Sequence, residues 1–226
     1  MISDVTATDG WLLQEFGRRH VRQIADPVIE PLWSGLRVLA LVTGTDVELR
    51  EGNGEVQDRP AIAAALRTAL RADEAVLDGY LTIEGAPAGV GVMPTVGPRG
   101  PTAAELARRM WLGGIRQRNE PIDQEEAGDE VREADEGVIL VAVDLLLIDD
   151  QALLDVPLLE RKRLLDSVVI AGDLIRVGIH VRAPVDHWLG TWRGAGFRQL
   201  AYKEANGRYR PGEVNDGWAT ADIPHR

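Results

Sequence analysis

Apolar and polar residues alternate on both sides of a short turn in the first quarter of the chain. The alternation runs through residues 36–42 and 47–49, and residues 44–46 between them read Gly-Thr-Asp, which is typical of a turn. A period of two predicts half-buried strands, so we expect a β-hairpin here. Residues 75–83 predict a further strand. The almost continuous apolar run at residues 138–148 predicts a strand that is buried on both faces.

Four other stretches are predicted to be helices from their apolar spacing and capping residues. They lie at about residues 60–70, 102–112, 158–169 and 186–194. Asp58 is placed to cap the first helix, and Asp155 and Pro157 are placed to start the third. Strands are also expected at residues 175–181 and 199–202. This order of elements predicts an α+β fold in which antiparallel sheets are packed with helices.

Two segments between these elements predict loops. Residues 85–101 are rich in Gly and Pro. Residues 120–136 are acidic, and eight of residues 123–136 are Asp or Glu while one is Arg. Because so acidic a segment cannot bury enough apolar surface to fold alone, we expect a mobile, solvated loop. An acidic segment that binds a partner is the alternative.

The 226-residue chain has a net charge of −11 at pH 7. DNA binding depends on cations that neutralise phosphates, so a globally acidic surface repels the duplex. Two groups of cations could form a local basic patch, namely four arginines between residues 108 and 118 and the cations at residues 161–163. We interpret both groups as solvated helix faces, and a DNA-binding patch is the alternative.

Several functional classes are excluded or disfavoured by composition. The chain has no cysteine, which excludes disulfides and thiolate metal sites. Its four histidines are scattered, and no spacing among them predicts a zinc site. Residues 1–10 are unlike a signal peptide, and no apolar run is long enough to span a membrane as a helix. These features predict a cytoplasmic protein without membrane contact.

A series of short motifs runs through the sequence. In chain order they are Glu30-Pro31-Leu32-Trp33-Ser34-Gly35-Leu36-Arg37, Arg50-Glu51-Gly52-Asn53-Gly54, Leu77-Asp78-Gly79-Tyr80, Val143-Asp144-Leu145-Leu146, residues 155–165, Lys203 with Tyr209-Arg210-Pro211-Gly212, and Trp218-Ala219-Thr220-Ala221-Asp222. In order and spacing the series resembles the adenylation (nucleotidyltransferase) domain of ATP-dependent DNA ligases. The resemblance implies an ATP-grasp-like fold for residues 25–226, with residues 1–24 as an N-terminal extension. We expect no C-terminal oligonucleotide-binding-fold domain.

The residues that touch ATP or metal in that family are replaced here. By resemblance, the replacements are Leu32 for the lysine that attacks ATP, Ser34 for an aspartate, Tyr80 for the ribose-binding glutamate, Val143 for the adenine-stacking aromatic residue, Arg198 for the metal-side glutamate, and Thr220 and Asp222 for two lysines. A leucine has no lone pair and cannot be a nucleophile. We therefore expect no catalytic residue and no metal site. The resemblance leaves vestigial nucleotide-binding positions at Trp33, Arg37 and Lys203.

These replacements predict a non-catalytic protein, in which the ATP and Mg²⁺ that the resemblance implies are not used. Three hypotheses remain. The chain is a pseudoenzyme that acts through a protein partner in DNA repair, a module that weakly binds a nucleotide or a DNA end, or an active adenylyltransferase of the ligase family. The third needs a substitute nucleophile, and Lys203 is the candidate. We favour a structural role for Lys203, or a phosphate contact beside Arg37.

Overall fold

The computed structural model describes residues 10–83 and 137–224. The predicted loop at residues 85–101, the predicted helix at residues 102–112 and the acidic segment at residues 120–136 lie outside the described residues. No helix in the two described stretches is long and apolar enough to cross a membrane.

Thirteen strands and three α-helices make up the described parts of the chain. The strands are β1 (Glu15–Phe16), β2 (Pro27–Pro31), β3 (Leu36–Thr43), β4 (Asp46–Glu51), β5 (Val56–Gln57), β6 (Glu74–Thr82), β7 (Ile139–Ile148), β8 (Gln151–Ala152), β9 (Ile175–Val177), β10 (Val181–Arg182), β11 (Gln199–Glu204), β12 (Val214–Asn215) and β13 (Trp218–Asp222). The helices are α1 (Pro60–Ala69), α2 (Leu158–Val168) and α3 (Asp186–Gly194), and a 3-10 helix covers Val21–Gln23.

The strands form two main sheets. Sheet I has the order β5-β4-β3-β6-β7-β8, with all neighbours antiparallel, and β9 pairs with β7 in parallel. Sheet II has the antiparallel order β10-β2-β11-β13. A small parallel pair, β1 with β12, accompanies them. The predicted class, antiparallel sheets packed with helices, is confirmed.

Strand β7 shows how the sequence pattern becomes a layered core. Its alternate side chains point to opposite faces of sheet I. Leu140 and Ala142 pack in a cluster with residues of α1 and α2, whereas Val141 and Val143 pack in a second cluster on the other face. The prediction of a strand buried on both faces is confirmed, and so is the β-hairpin that joins β3 to β4.

Two local predictions are wrong. Asp58 does not cap α1, because the helix begins at Pro60 after Arg59, which makes no side-chain capping bond. The single strand predicted at residues 175–181 is instead β9 in sheet I and β10 in sheet II. Gly178 lies between them, and a Cβ atom there would lie 2.9 Å from Cγ1 of Val143. The chain is therefore closely packed against β7 between the two strands.

Residues near the start of the described chain pack onto its end. Trp11, Leu13 and Phe16 lie against a cluster that includes Tyr209 and Trp218. The Phe16 and Trp218 ring centroids are 5.4 Å apart. Residues 11–16 therefore contribute to the core, and the division of the chain at residue 24 stays a prediction.

Candidate functional site

The structure separates the replaced ligase positions into a buried group and an exposed group. Leu32 is half-buried, Tyr80 is 7% exposed and Val143 is 2% exposed. The exposed positions are Ser34, Arg198, Thr220 and Asp222. The fold therefore brings together three of the predicted positions and leaves four on the surface.

The three less exposed positions meet in one apolar cluster, called the aromatic cluster below. Its buried members are Ile29, Trp33, Tyr80, Val141, Val143, Ile179, Trp192, Phe197, Leu200 and Ile223. Leu32 and Trp188 pack against these residues. Because the members come from sheet I, sheet II and α3, the aromatic cluster joins these three elements.

Strands β6 and β7 place the Tyr80 and Val143 side chains side by side. Tyr80 lies opposite Val141 in the register, and Val143 is two residues further along the same face of β7. Burial raises the pKa of the Tyr80 phenol; the Arg37 charge opposes this effect, and the Asp78 charge adds to it. Tyr80 is therefore neutral at pH 7 and serves as an aromatic packing residue.

Trp33 and Phe197 close the aromatic cluster beside Leu32. Their ring centroids are 4.9 Å apart with the rings nearly perpendicular, an arrangement that aromatic pairs favour. The Trp33 indole nitrogen is buried and has no hydrogen-bond partner among the residues that the structure describes. On α3, Trp188 and Trp192 stack with centroids 5.8 Å apart. The aromatic side chains here pack on one another.

The exposed positions lie along the outer part of sheet II and at the turn before β3. Thr220 is opposite Ala201 and Asp222 is opposite Gln199 in the β11–β13 register. The Gln199 side-chain amide donates to Asp222 over 2.9 Å. An acid therefore stands where the resemblance expects a lysine, and it would repel a phosphate.

Arg37 is held by a buried carboxylate. Its Nε donates to Oδ1 of Asp78 over 2.9 Å, its Nη2 donates to Oδ2 over 2.5 Å, and its Nη1 donates to the Gln14 carbonyl over 2.7 Å. The Tyr209 hydroxyl also donates to Asp78 over 3.2 Å. Burial lowers the pKa of Arg37, but the Asp78 charge outweighs it and the net shift is upward. Arg37 is a permanent cation, and it is paired with Asp78.

Lys203 and Lys162 share one buried carboxylate, Glu30. Each ammonium group forms an ion pair with Glu30, and Lys162 also donates to the Val143 carbonyl over 2.5 Å. The Lys203 nitrogen lies 4.2 Å from the Trp218 ring centroid. Burial raises the pKa of Glu30, but the two ammonium charges and their hydrogen bonds outweigh it and lower the pKa to about 2. Burial lowers the pKa of Lys203.

The interpretation of residues 161–163 as a solvated helix face is wrong for two of the three cations. Arg161 is fully buried and binds Asp144 through two hydrogen bonds of 2.9 and 2.8 Å. Lys162 is also buried, whereas Arg163 is exposed. The helix period could have shown this, because positions 161 and 162 follow the inward-facing Leu158 by three and four residues. Because both residues are charged, the sequence favours exposure in spite of this helical spacing.

ATP with Mg²⁺ does not fit the residues at these positions. Each of the cations Arg37, Arg161, Lys162 and Lys203 is bound to a carboxylate inside the protein. Mg²⁺ requires oxygen ligands, usually carboxylates. Within residues 10–83 and 137–224, no group of three or more His, Asp or Glu could hold a metal ion.

Solved structures similar to this chain are DNA ligases. The ligase domain of M. tuberculosis LigD has a TM-score of 0.59 and 19% identity, and the match covers 95% of this chain and 60% of that one. A mycobacterial DNA ligase D complexed with ATP and MES has a TM-score of 0.58 and 20% identity, covering 94% and 60%. A Lig E DNA ligase has a TM-score of 0.52 and 15% identity, covering 95% and 68%.

The chain has the nucleotidyltransferase fold of ATP-dependent DNA ligases. This confirms the fold that the motif series predicted. No protein-family model and no curated protein matches the sequence. The ligase-like chain spans about 60% of the length of the two ligase D structures.

Proposed function

We propose that this ligase-like chain is a non-catalytic protein that acts through a protein partner in DNA repair, in the cytoplasm. The fold supports the link to DNA ligases, and the side chains support the loss of chemistry. The proposal does not require ATP or Mg²⁺.

The proposal is supported above all by Leu32, which the resemblance aligns with the attacking lysine and which packs against the aromatic cluster. Nucleotidyl transfer to the protein needs an amine or another nucleophile with an available lone pair. A hydrocarbon side chain supplies none. The apolar surroundings also favour Leu32 over a charged side chain, because an uncompensated buried charge is costly.

The alternative, an active adenylyltransferase, would need Lys203 as its nucleophile. Lys203 is 2% exposed, and its ammonium group is paired with Glu30 and lies over the Trp218 ring. To attack a phosphate, it would have to leave both partners and reach a nucleotide outside the core. These contacts support a structural role for Lys203.

The test is incubation of the purified chain with α-labelled ATP and Mg²⁺, followed by denaturing electrophoresis. The ligase domain of M. tuberculosis LigD serves as the positive control. We expect label on the control and none on this chain or on its Lys203→Ala variant. Covalent label on the wild-type chain that disappears in Lys203→Ala would establish adenylyltransferase activity and overturn the proposal.

Weak binding of a DNA end is tested separately with a fluorescent nicked duplex. The net charge of −11 opposes approach of the duplex, so we expect no saturable change in anisotropy at physiological salt. Saturable binding that weakens as salt increases would show that DNA, and not only protein, is a partner.

A further inference from the structure

We infer that the space which the ligase resemblance assigns to nucleotide has become part of the hydrophobic core, where it joins sheet I to sheet II and α3. This builds on the proposed function but goes further. A chain that has lost only its nucleophile could still hold ATP, whereas a chain whose binding space is filled with its own side chains could not.

Three side chains at positions that the resemblance assigns to nucleotide contact are buried. A side chain that lines a nucleotide pocket must present accessible surface to the ligand. Trp33, Tyr80 and Val143 are 5%, 7% and 2% exposed. Three positions that the resemblance assigns to nucleotide contact therefore have almost no surface left for a ligand.

Val143 and Gly178 are closely packed. A Cβ atom at Gly178 would lie 2.9 Å from Cγ1 of Val143 and 3.7 Å from the Trp33 indole nitrogen. A purine ring needs about 3.5 Å of clearance on each face, the usual contact distance between carbon atoms. A Cβ atom lies about 1.5 Å from its Cα, so the Gly178 Cα is within about 4.4 Å of Cγ1 of Val143. A base between them would need roughly 7 Å, so a base cannot stack there.

The cations near this space are already paired with carboxylates. A triphosphate is bound by cations whose hydrogen-bond donors are available to its oxygens. In the core beside the aromatic cluster, Arg37 donates to Asp78, and Lys162 and Lys203 pair with Glu30. Recruiting them to a phosphate would leave the buried carboxylates without their cationic partners, which is strongly unfavourable.

If this space is core, then restoring a ligase residue must disturb folding. Tyr80→Glu reinstates the ribose-binding glutamate, but it places a carboxylate in an apolar cluster near Asp78 and Glu30, whose charges already act on Tyr80. Tyr80→Phe is the matched control, because it keeps the ring and removes only the hydroxyl. In an open pocket, both variants would be tolerated.

The experiment measures thermal unfolding of the full chain and both Tyr80 variants, with and without millimolar AMP or MgATP. We expect Tyr80→Glu to lower Tm by about 5 °C or more and Tyr80→Phe by about 2 °C or less. We also expect no nucleotide-dependent shift, since a ligand selective for the folded state raises Tm. A saturable shift on the wild-type chain, or a Tyr80→Glu variant as stable as Tyr80→Phe, would overturn the inference.

A second variant keeps the two proposals separable. Leu32→Lys restores the nucleophile in the otherwise unchanged chain, and Leu32→Met is its apolar control. We expect neither to acquire covalent AMP. If Leu32→Lys became adenylated while the wild-type chain did not, the inference of a filled site would fail and the non-catalytic proposal would stand. Adenylation of the wild-type chain would instead refute the non-catalytic proposal.

Discussion

The ion cluster of Glu30, Lys162 and Lys203 allows a quantitative prediction. Glu30→Gln removes the carboxylate that both ammonium groups share and leaves the buried Lys162 and Lys203 without this anionic partner. Lys203→Met removes one cation instead and leaves Glu30 paired with Lys162. We expect Glu30→Gln to be strongly destabilising and Lys203→Met to have a much smaller effect.

The magnitude follows from burial and from the Glu30 pKa. Glu30 is 3% exposed, and its pKa is lowered from 4.5 to about 2. At about 1.4 kcal/mol for each pKa unit, the interactions of its charge stabilise the folded state by about 3–4 kcal/mol at pH 7. Loss of one partner from a buried ion pair typically costs about 3–5 kcal/mol. Methionine at position 203 can contact the Trp218 ring through its sulfur, and we expect a cost below about 1.5 kcal/mol.

Urea unfolding monitored by tryptophan fluorescence measures both variants. At an m value of about 2 kcal/mol/M, Glu30→Gln should lower the midpoint by about 2 M, whereas Lys203→Met should lower it by less than about 0.8 M. If Lys203→Met proved as destabilising as Glu30→Gln, then Glu30 would not be the shared anchor and the reasoning would be refuted.

Three other predictions concern pH, helix α2 and the turn before β3. The Glu30 pKa is lower in the folded state than in the unfolded state. The stabilisation that the Glu30 charge gives the folded state is therefore complete above about pH 4.5 and is lost as the pH falls toward about 2. The urea midpoints of wild type and Glu30→Gln should converge at low pH. Arg161→Met should cost several-fold more in unfolding free energy than Arg163→Met, since only Arg161 is in a buried ion pair; equal costs would contradict this. Gly35→Ala should prevent stable folding, because the φ of Gly35 is +118° and an added Cβ would lie 2.2 Å from a backbone carbonyl oxygen. Gly44 has a φ of +58°, and an added Cβ there would meet open space. Gly44→Ala should therefore lower the free energy of unfolding, measured by thermal unfolding, by about 1–2 kcal/mol.

Local patterns in the sequence predicted much of the fold. Alternation around residues 44–46 predicted the β3–β4 hairpin, and the apolar run at residues 138–148 predicted β7. The bounds of α3 were also predicted from sequence. These features depend on residues close in the chain, so a periodic pattern is sufficient to indicate them.

The partners of the buried charges could not be predicted in this way. Glu30 and Lys162 are 132 residues apart in the chain, and the sequence alone does not indicate that a carboxylate lies beside that ammonium group. The sequence favours a solvated Arg161, because charged residues are rarely fully buried unless they are paired. The partner of Arg161 is Asp144, and the two residues come into contact only when α2 packs on β7.

Some features of the candidate site can be predicted from the sequence, and others depend on the tertiary structure. The resemblance of the motif series to DNA ligases implies that Leu32 replaces the lysine and Tyr80 the glutamate, and on that basis the sequence alone predicts a loss of chemistry. Whether the space beside them stays open depends on side chains from β7, α3 and the segment after β9, which are distant in the chain. Only tertiary packing brings Val143, Gly178 and Trp33 together, because contact distances of a few ångströms are set by how the two sheets meet.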